Sequence, residues 1–168
     1  MAANFPKLTP AFTVRVAISP PTALTSTLTF VPFTTGGTIV SHPSYPIQLD
    51  AAIEHGADYI RAHPSGKHVL LDVQSVARDA KSGGLVRFGY KGKIATGGAA
   101  GKVLRGEAGL GETPFGEAFT VVEFEAGTGA LAVLEEKVYV GSGRFVIEAG
   151  KPVIVEYLVS EVTDRSLD

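Results

Sequence analysis

The 168-residue sequence contains no cysteine and no tryptophan, and only one methionine. Without cysteine the chain can form no disulfide and has no thiol nucleophile, which fits a reducing compartment. The net charge of −2 argues against a nucleic-acid partner, because phosphate binding needs clustered Lys and Arg. No apolar run approaches the ~20 residues of a membrane span, and residues 1–10 lack the regions of a signal peptide. We therefore expect a cytoplasmic protein with neither nucleic acid nor membrane as a partner.

What the sequence has in abundance is glycine (20) and proline (10), together with many β-branched residues. Short alternating apolar segments, such as residues 11–19, 25–33, 138–148 and 153–162, indicate strands separated by turns. We count about eight to ten strands within a single domain over residues 1–168, with its core at about 11–163. An open sheet of that size would leave exposed edges. The sequence therefore predicts an all-β fold, a single antiparallel up-and-down-type barrel with an interior cavity.

Three segments depart from simple alternation. Leu131, Leu134 and Val138 recur at helical spacing, which predicts one short helix over residues 128–136. Residues 46–54 fit a strand or a short helix, and we favour the strand. Residues 97–116 are rich in glycine and form a long loop, a feature that is often functional or mobile. We expect this loop to border the mouth of the cavity, with Phe115 as its buried side chain.

The turn PSGK at 64–67 sets the register of one hairpin. It places His63 opposite His68 and Asp58 opposite Val73. The turn DAKSGG then places Arg78 opposite Leu85 in the next hairpin. One face of these strands is charged, whereas the other is apolar except for three side chains. The three polar side chains of the apolar face are Asp58, Ser75 and Tyr90. A register slip of one residue would turn Asp72 inward instead.

A carboxylate on the apolar face needs an explanation, because an ionised group buried without partners normally becomes neutral. Asp58 is therefore either hydrogen-bonded and inert, or a proton-transfer group in a cavity. The residues alone leave both alternatives open, since structural networks also perturb pKa values.

Other motifs carry weaker signals. His63 and His68, with Asp72, have the residue types of a metal site, but histidines that flank a turn are more often solvated, so we expect no metal and no cofactor. The segment GGAAGKVLRG lacks the spacing of a phosphate-binding loop. The glycine pair of GSGR, residues 141–144, indicates a β-bulge, which alternatively re-aims Arg144 into the cavity.

Several short motifs occur together in a specific order: GADY (56–59), LVRFGYKG (85–92), TPFG (113–116), FEAG (124–127) and VYVGSGRFVIEAG (138–150). With them the sequence, from about Phe12 to Val162, resembles the DUF3237 family (also called UPF0311), in its fungal branch. The resemblance implies an antiparallel barrel with an interior cavity, often in a homo-oligomer. Some fungal relatives belong to secondary-metabolite pathways and resemble cofactor-free cyclases or isomerases. The family commonly has Trp where this sequence has Tyr59.

The resemblance favours proton transfer by Asp58. We hypothesise a cofactor-independent cyclase or isomerase that acts by acid–base catalysis on an apolar aromatic or polyketide-type metabolite. A plausible step adds a hydroxyl to an alkene or carbonyl of the same molecule. Tyr90 and Arg144 would orient the substrate oxygen, and Asp72 would replace Asp58 if the register were slipped. The expected substrate-binding wall consists of Phe30, Phe88, Phe115, Phe124, Tyr139 and Tyr157. The alternatives are a non-catalytic small-molecule-binding barrel and a barrel filled by its own side chains.

Overall fold

The computed structural model describes residues 4–127 and 129–164, and over these residues eleven strands form one antiparallel sheet. One α-helix, α1 (Ala99–Leu104), and one 3-10 helix (Ala132–Glu136) accompany them. None of the described helices has the length and apolarity needed to cross a membrane. The strands are β1 (Lys7–Ile18), β2 (Thr22–Ala23), β3 (Leu28–Pro32), β4 (Thr38–Ser41), β5 (Asp50–Ala62), β6 (His68–Asp79), β7 (Leu85–Ala95), β8 (Gly111–Glu112), β9 (Ala118–Glu125), β10 (Tyr139–Ile147) and β11 (Val153–Thr163).

The sheet closes into a barrel, which confirms the predicted fold class. Eight strands form the ring in the order β1-β4-β5-β6-β7-β9-β10-β11. The first and last of them pair with each other from Lys7 opposite Thr163 to Ile18 opposite Val153. The other three strands are short additions: β3 pairs with β5 beyond the end of β4, β2 pairs with β3, and β8 pairs with β10. Closure removes the long exposed edges that an open sheet of this size would present.

Alternation along the strands divides inside from outside. In β9 (AFTVVEFE) every second residue, from Ala118 to Phe124, is buried, and the residues between them are exposed. A one-residue bulge at Glu54 changes this parity within β5, since Ile53 lies opposite Ala77 whereas His55 lies opposite Val76. After the bulge, the even-numbered residues of β5 face the interior. The bulge therefore brings Asp58 inside the barrel.

Aromatic side chains fill one end of the barrel. Phe12 lies at the centre of this group, with its ring 5.2–5.4 Å from the rings of Tyr45, Phe124 and Tyr139. The Tyr45 hydroxyl donates to Glu161 Oε2 at 2.6 Å and is 2.8 Å from the Tyr139 hydroxyl. This aromatic plug (Phe12, Tyr45, Phe88, Phe124 and Tyr139) lies entirely within the hydrophobic core. The other end of the barrel is lined by smaller, mainly aliphatic residues and stays open.

The segments that depart from alternation fold in three ways. The predicted helix over 128–136 is confirmed in part: the segment forms a 3-10 helix that is limited to Ala132–Glu136, and Thr128 lies outside the described residues. In the segment 46–54 the strand begins only at Asp50. Residues 97–116 do not form an irregular loop throughout, because α1 lies within them. Glu117 stabilises the start of α1 by accepting the backbone N–H groups of Ala99 and Ala100 at 3.2 and 2.7 Å.

Thr120 gives a test of the packing inside the barrel. Its side chain is buried, and its Oγ1 is the one buried side-chain polar atom in the described part of the chain without a hydrogen-bond partner. Because an unpaired buried hydroxyl destabilises the folded state, Thr120→Val should raise the free energy of unfolding by about 1 kcal/mol in urea denaturation.

Thr113→Val is the matched control. Thr113 is also buried, but its Oγ1 accepts the Phe145 N–H at 2.9 Å. Removing that acceptor should lower the free energy of unfolding by about 1–3 kcal/mol. Equal losses of stability in both variants would contradict the difference between the two hydroxyls.

Candidate functional site

The open end of the barrel contains a cavity of about 620 Å³. This volume lies within the range of roughly 300–1,000 Å³ that holds small-molecule ligands in proteins. Its wall is mostly apolar, and its mouth is formed by loop residues that include Ser19, Pro20, Ser26 and Lys151. The apolar wall comprises Ile18, Val31, Phe33, Ile60, Ala62, Val69, Ile94, Val103, Leu104, Phe145, Val153 and Val155.

Asp58 lines this cavity and is 7% exposed. It lies between Val31 on β3 and Val73 on β6, in the register that the hairpin turn predicts. Burial raises its pKa from 3.8 to about 6, against the effect of the Asp72 N–H, which donates to Asp58 Oδ1 at 3.0 Å. The side chain thus changes protonation near neutral pH and is suited both to donate and to accept a proton.

Tyr90 and Tyr157 line the same cavity, and both side chains are almost fully buried. Their ring centroids are 5.0 Å apart at an angle of 60°. Burial raises the pKa of both tyrosines, and the charge of Asp58 raises both further. The two phenols therefore remain protonated across the physiological range. Asp58, Tyr90 and Tyr157 form what we call the polar cluster.

The structure confirms the predicted register and orientation of the first hairpins. Asp58 is opposite Val73, Arg78 is opposite Leu85, and Tyr90 faces the same interior as Asp58. Ser75, the third polar residue of this face, is buried and donates to the Phe88 carbonyl at 2.7 Å. Its hydrogen-bonding capacity is thus used within the barrel wall. The chemical roles of Asp58 and Tyr90 stay predictions.

The expected position of Arg144 is wrong. The pairing of β10 with β11 runs without interruption through Gly141, Ser142, Gly143 and Arg144, so the segment GSGR contains no bulge. With strict alternation Arg144 lies on the outer wall, where its Nε donates to Glu156 at 2.8 Å. It also bonds Glu112 and lies over the Phe115 ring.

Asp72 also lies outside the cavity, because the register is not slipped. It is opposite Lys91 on β7, on the side of the sheet that faces away from the barrel interior. Its backbone N–H, rather than its carboxylate, contributes to the site by holding Asp58. The expectation that Asp72 could replace Asp58 is therefore wrong for this structure.

The predicted aromatic wall is mostly incorrect. Tyr157 lines the cavity, whereas Phe88, Phe124 and Tyr139 belong to the aromatic plug at the other end. Phe30 packs against Tyr59, with ring centroids 5.3 Å apart, and Phe115 lies under Arg144. Alternation correctly assigned the interior face to Phe88, Phe124 and Tyr139, but it carries no information on their height along the barrel axis.

The cavity also uses residues that sequence reasoning missed. Val103 and Leu104 of α1 line it, so the segment 97–116 does reach the cavity, although Phe115 does not. Phe33, Phe145 and Val155 complete the wall. The adjacent apolar pair Val103–Leu104 within a glycine-rich segment was the available signal for the helix.

The histidine pair lies at the hairpin turn, away from the cavity lining. The rings of His63 and His68 stack with centroids 4.2 Å apart, and His63 Nδ1 is 2.9 Å from the Ser65 hydroxyl. Within residues 4–127 and 129–164, no three potential metal ligands of the types His, Asp and Glu cluster together.

Fold and site together define a cavity-containing antiparallel β-barrel with a polar cluster at the base of an apolar pocket. The profile of the family described as "Protein of unknown function (DUF3237)" matches residues 6–162, and the chain belongs to this family. No curated protein matches the chain.

Three solved structures share the fold. A conserved protein of unknown function from Rhodopseudomonas palustris is 19% identical with a TM-score of 0.71, covering 94% of this chain and 97% of that one. A β-barrel-like protein from Acinetobacter baumannii is 20% identical with a TM-score of 0.68 (95% and 97% covered). A protein of unknown function from Clostridium acetobutylicum is 11% identical with a TM-score of 0.65 (94% and 97% covered).

The raised pKa of Asp58 predicts how stability depends on pH. At a pH between 3.8, the ordinary pKa of an aspartate, and about 6, the folded protein keeps the Asp58 proton that the unfolded chain has released. Binding of this proton stabilises the folded state fully below pH 3.8, and the stabilisation is lost as the pH rises through about 6. In denaturation at pH 4 to 7, the wild type should lose on the order of 3 kcal/mol of unfolding free energy relative to Asp58→Asn.

Asp79→Asn is the matched control, for which we expect the stability difference from the wild type to change with pH in the opposite direction. The Asp79 side chain is also shielded from solvent, and although burial raises its pKa, hydrogen bonds from Ser82 and from the Asp50 N–H lower it overall. The wild type should therefore gain stability relative to Asp79→Asn as pH rises through the acid range. Parallel pH curves for the wild type and Asp58→Asn would contradict the raised pKa.

Proposed function

We propose that the protein is a cofactor-independent cyclase or isomerase that acts on an apolar, oxygen-bearing metabolite in the barrel cavity, with Asp58 as the proton-transfer group. The observation that carries this proposal is the contrast between two buried carboxylates. Asp79 accepts hydrogen bonds from the Ser82 hydroxyl at 2.7 Å, from the Ser82 N–H at 2.9 Å and from the Asp50 N–H at 3.3 Å. Asp58 accepts one, from Asp72, and faces open space.

The wall and the base of the cavity indicate the kind of substrate. An apolar wall favours a hydrophobic body, whereas the phenols of Tyr90 and Tyr157 offer hydrogen bonds to an oxygen at the base. We expect the substrate to enter with its oxygen-bearing end first. Aromatic or polyketide-type metabolites that carry a hydroxyl and an alkene or carbonyl fit this description, and a place in secondary metabolism follows from that substrate class.

One carboxyl group suffices for an intramolecular addition. Protonated Asp58 gives its proton to the alkene carbon or carbonyl oxygen while the substrate hydroxyl forms the new C–O bond. The hydroxyl proton then returns to the Asp58 carboxylate, so the product is an isomer of the substrate. A pKa near 6 suits both halves of this cycle at neutral pH. The cavity contributes by holding the chain of the substrate in a folded conformation.

The second candidate is a non-catalytic small-molecule-binding barrel. The size and the apolar wall of the cavity support it, because both are as useful to a carrier as to an enzyme. A carrier gains nothing from an ionisable group at the base of its pocket, and for this reason we favour the enzyme. Either function is compatible with a cytoplasmic protein that has no cysteine.

Turnover of hydroxy-alkene and hydroxy-enone compounds without added cofactor or metal tests the proposal. Liquid chromatography with mass spectrometry should show products of unchanged mass and altered retention. Asp58→Asn keeps the shape of the side chain and can still accept the Asp72 N–H, but it cannot transfer the proton. It should lose roughly 10²- to 10⁴-fold in kcat while it still binds substrate.

Asp50→Asn is the control, because it removes an exposed carboxylate from the same strand and should retain full turnover. Full activity of Asp58→Asn would reject Asp58 as the catalyst. Binding of compounds without conversion, by both the wild type and Asp58→Asn, would favour the carrier.

A further inference from the structure

The two glycines of the segment GSG, Gly141 and Gly143, are in close contact with different side chains. Gly143 on β10 lies directly opposite Tyr157 on β11. A Cβ at position 143 would lie 2.4 Å from Cε1 and 2.7 Å from Cδ1 of the Tyr157 ring. Gly143 is not one of the glycines with positive φ, so its backbone does not require glycine. Residue 143 therefore lacks a side chain because the Tyr157 ring occupies that space.

The position of the ring fixes the position of the Tyr157 hydroxyl. The ring is packed between Gly143 and Tyr90 and is almost completely buried, so it has little room to move without a change at one of these contacts. A methyl group at position 143 would push the ring away from β10. The hydroxyl would then leave its place in the polar cluster.

The Tyr157 hydroxyl is placed to reach a ligand. The Tyr157 ring lines the cavity together with the Tyr90 ring, and burial raises the pKa of both phenols so that both stay protonated. A protonated phenol in the wall of a mostly apolar cavity is able to donate a hydrogen bond to a ligand oxygen.

We propose that Tyr157 is the hydrogen-bond donor that holds the substrate oxygen, and that Gly143 is the positioning residue that keeps Tyr157 in place. This inference rests on the proposed function for the nature of the ligand, but it assigns a role to residues other than Asp58. The ligand class it implies is a neutral apolar molecule with an acceptor oxygen, such as a ketone.

Gly141 offers a matched control on the same strand and the same face. A Cβ at position 141 would meet Thr120 Oγ1 at 2.6 Å, but it would be 3.6 Å from Tyr157 Cδ1, an ordinary contact distance. Gly141→Ala therefore adds the same methyl group to the same strand and requires a shift of Thr120 rather than of Tyr157.

Two bicyclic probes test the donor. 1-Tetralone and tetralin share a carbon skeleton, and the first has a carbonyl oxygen that the second lacks. NMR titration of each probe gives the ratio of the tetralin Kd to the tetralone Kd. In Tyr157→Phe and in Gly143→Ala this ratio should fall about two- to tenfold from the wild-type value, the equivalent of one hydrogen bond. It should stay unchanged in Gly141→Ala.

The infrared carbonyl stretch of bound 1-tetralone gives a second readout, which a purely structural role of Tyr157 would not move. Loss of the hydrogen bond should shift the band to higher frequency in Tyr157→Phe and Gly143→Ala. An unchanged Kd ratio and an unchanged band in Tyr157→Phe would overturn the donor assignment. Equal behaviour of Gly143→Ala and Gly141→Ala would overturn the positioning role.

A thermodynamic cycle covers the case in which Gly143→Ala folds poorly. Tyr157→Leu removes the ring from above residue 143, so Gly143→Ala should destabilise the Tyr157→Leu protein much less than the wild type. Equal losses of stability in both backgrounds would contradict the contact.

The two proposals fail in different ways. Full turnover by Asp58→Asn would remove the catalytic proposal and leave the probe results untouched. An unchanged Kd ratio in Tyr157→Phe, with activity lost in Asp58→Asn, would reject only the donor. If the wild type bound neither probe, both the ligand-binding cavity and the donor would be contradicted.

Discussion

The position of the candidate site depends on the β-bulge at Glu54. Without this extra residue, the inside–outside alternation that places Ala51 and Ile53 in the core would continue and direct Ala57 into the barrel, with Asp58 outside. The bulge precedes the part of β5 that lines the cavity, which includes Asp58, Ile60 and Ala62. Just beyond it, Gly56 lets β5 approach Phe33 and Ser75 so closely that a Cβ would be 2.6 Å from either side chain. A local irregularity in one strand thus determines which chemical group the cavity contains.

The two halves of the barrel interior differ in packing: one is filled by side chains and the other contains the cavity. At one end the aromatic plug excludes space, and its phenols bond within the protein: Tyr45 to Glu161, and Tyr139 to Tyr45. At the other end the side chains are shorter, so the wall leaves a cavity, and the phenols of Tyr90 and Tyr157 face it. The plug supplies close packing and the associated stability, which allows the open end to remain underpacked. Tyrosine is thus a structural residue at one end of the barrel, whereas at the other end its hydroxyl is available to a ligand.

The sequence was sufficient to predict the barrel, the hairpin register and the inward orientation of Asp58 and Tyr90, because each of these features follows from local rules. Turn residues fix a register, and a period of two fixes a face. It failed where the answer depends on distance along the barrel axis or on contacts between distant segments. Tyr139 and Tyr157 both face inward on neighbouring strands, yet only Tyr157 reaches the cavity. The glycines of GSG indicated a bulge, whereas side chains on the two neighbouring strands occupy the space beside them: Tyr157 at Gly143 and Thr120 at Gly141.

The energetics of Asp58 favour a functional origin. A pKa of about 6 in a buried carboxyl corresponds to a loss of stability on the order of 3 kcal/mol at neutral pH, a large part of the ~5–15 kcal/mol that keeps a typical domain folded. The same barrel stabilises Asp79 with hydrogen bonds from Ser82 and Asp50, so the fold is able to compensate a buried carboxylate. At Asp58 it provides one hydrogen bond, from the Asp72 N–H, and the pKa of the carboxyl group stays raised. A carboxyl group that keeps a raised pKa and faces a cavity has the properties that acid–base chemistry requires, and this supports the role that we propose for Asp58.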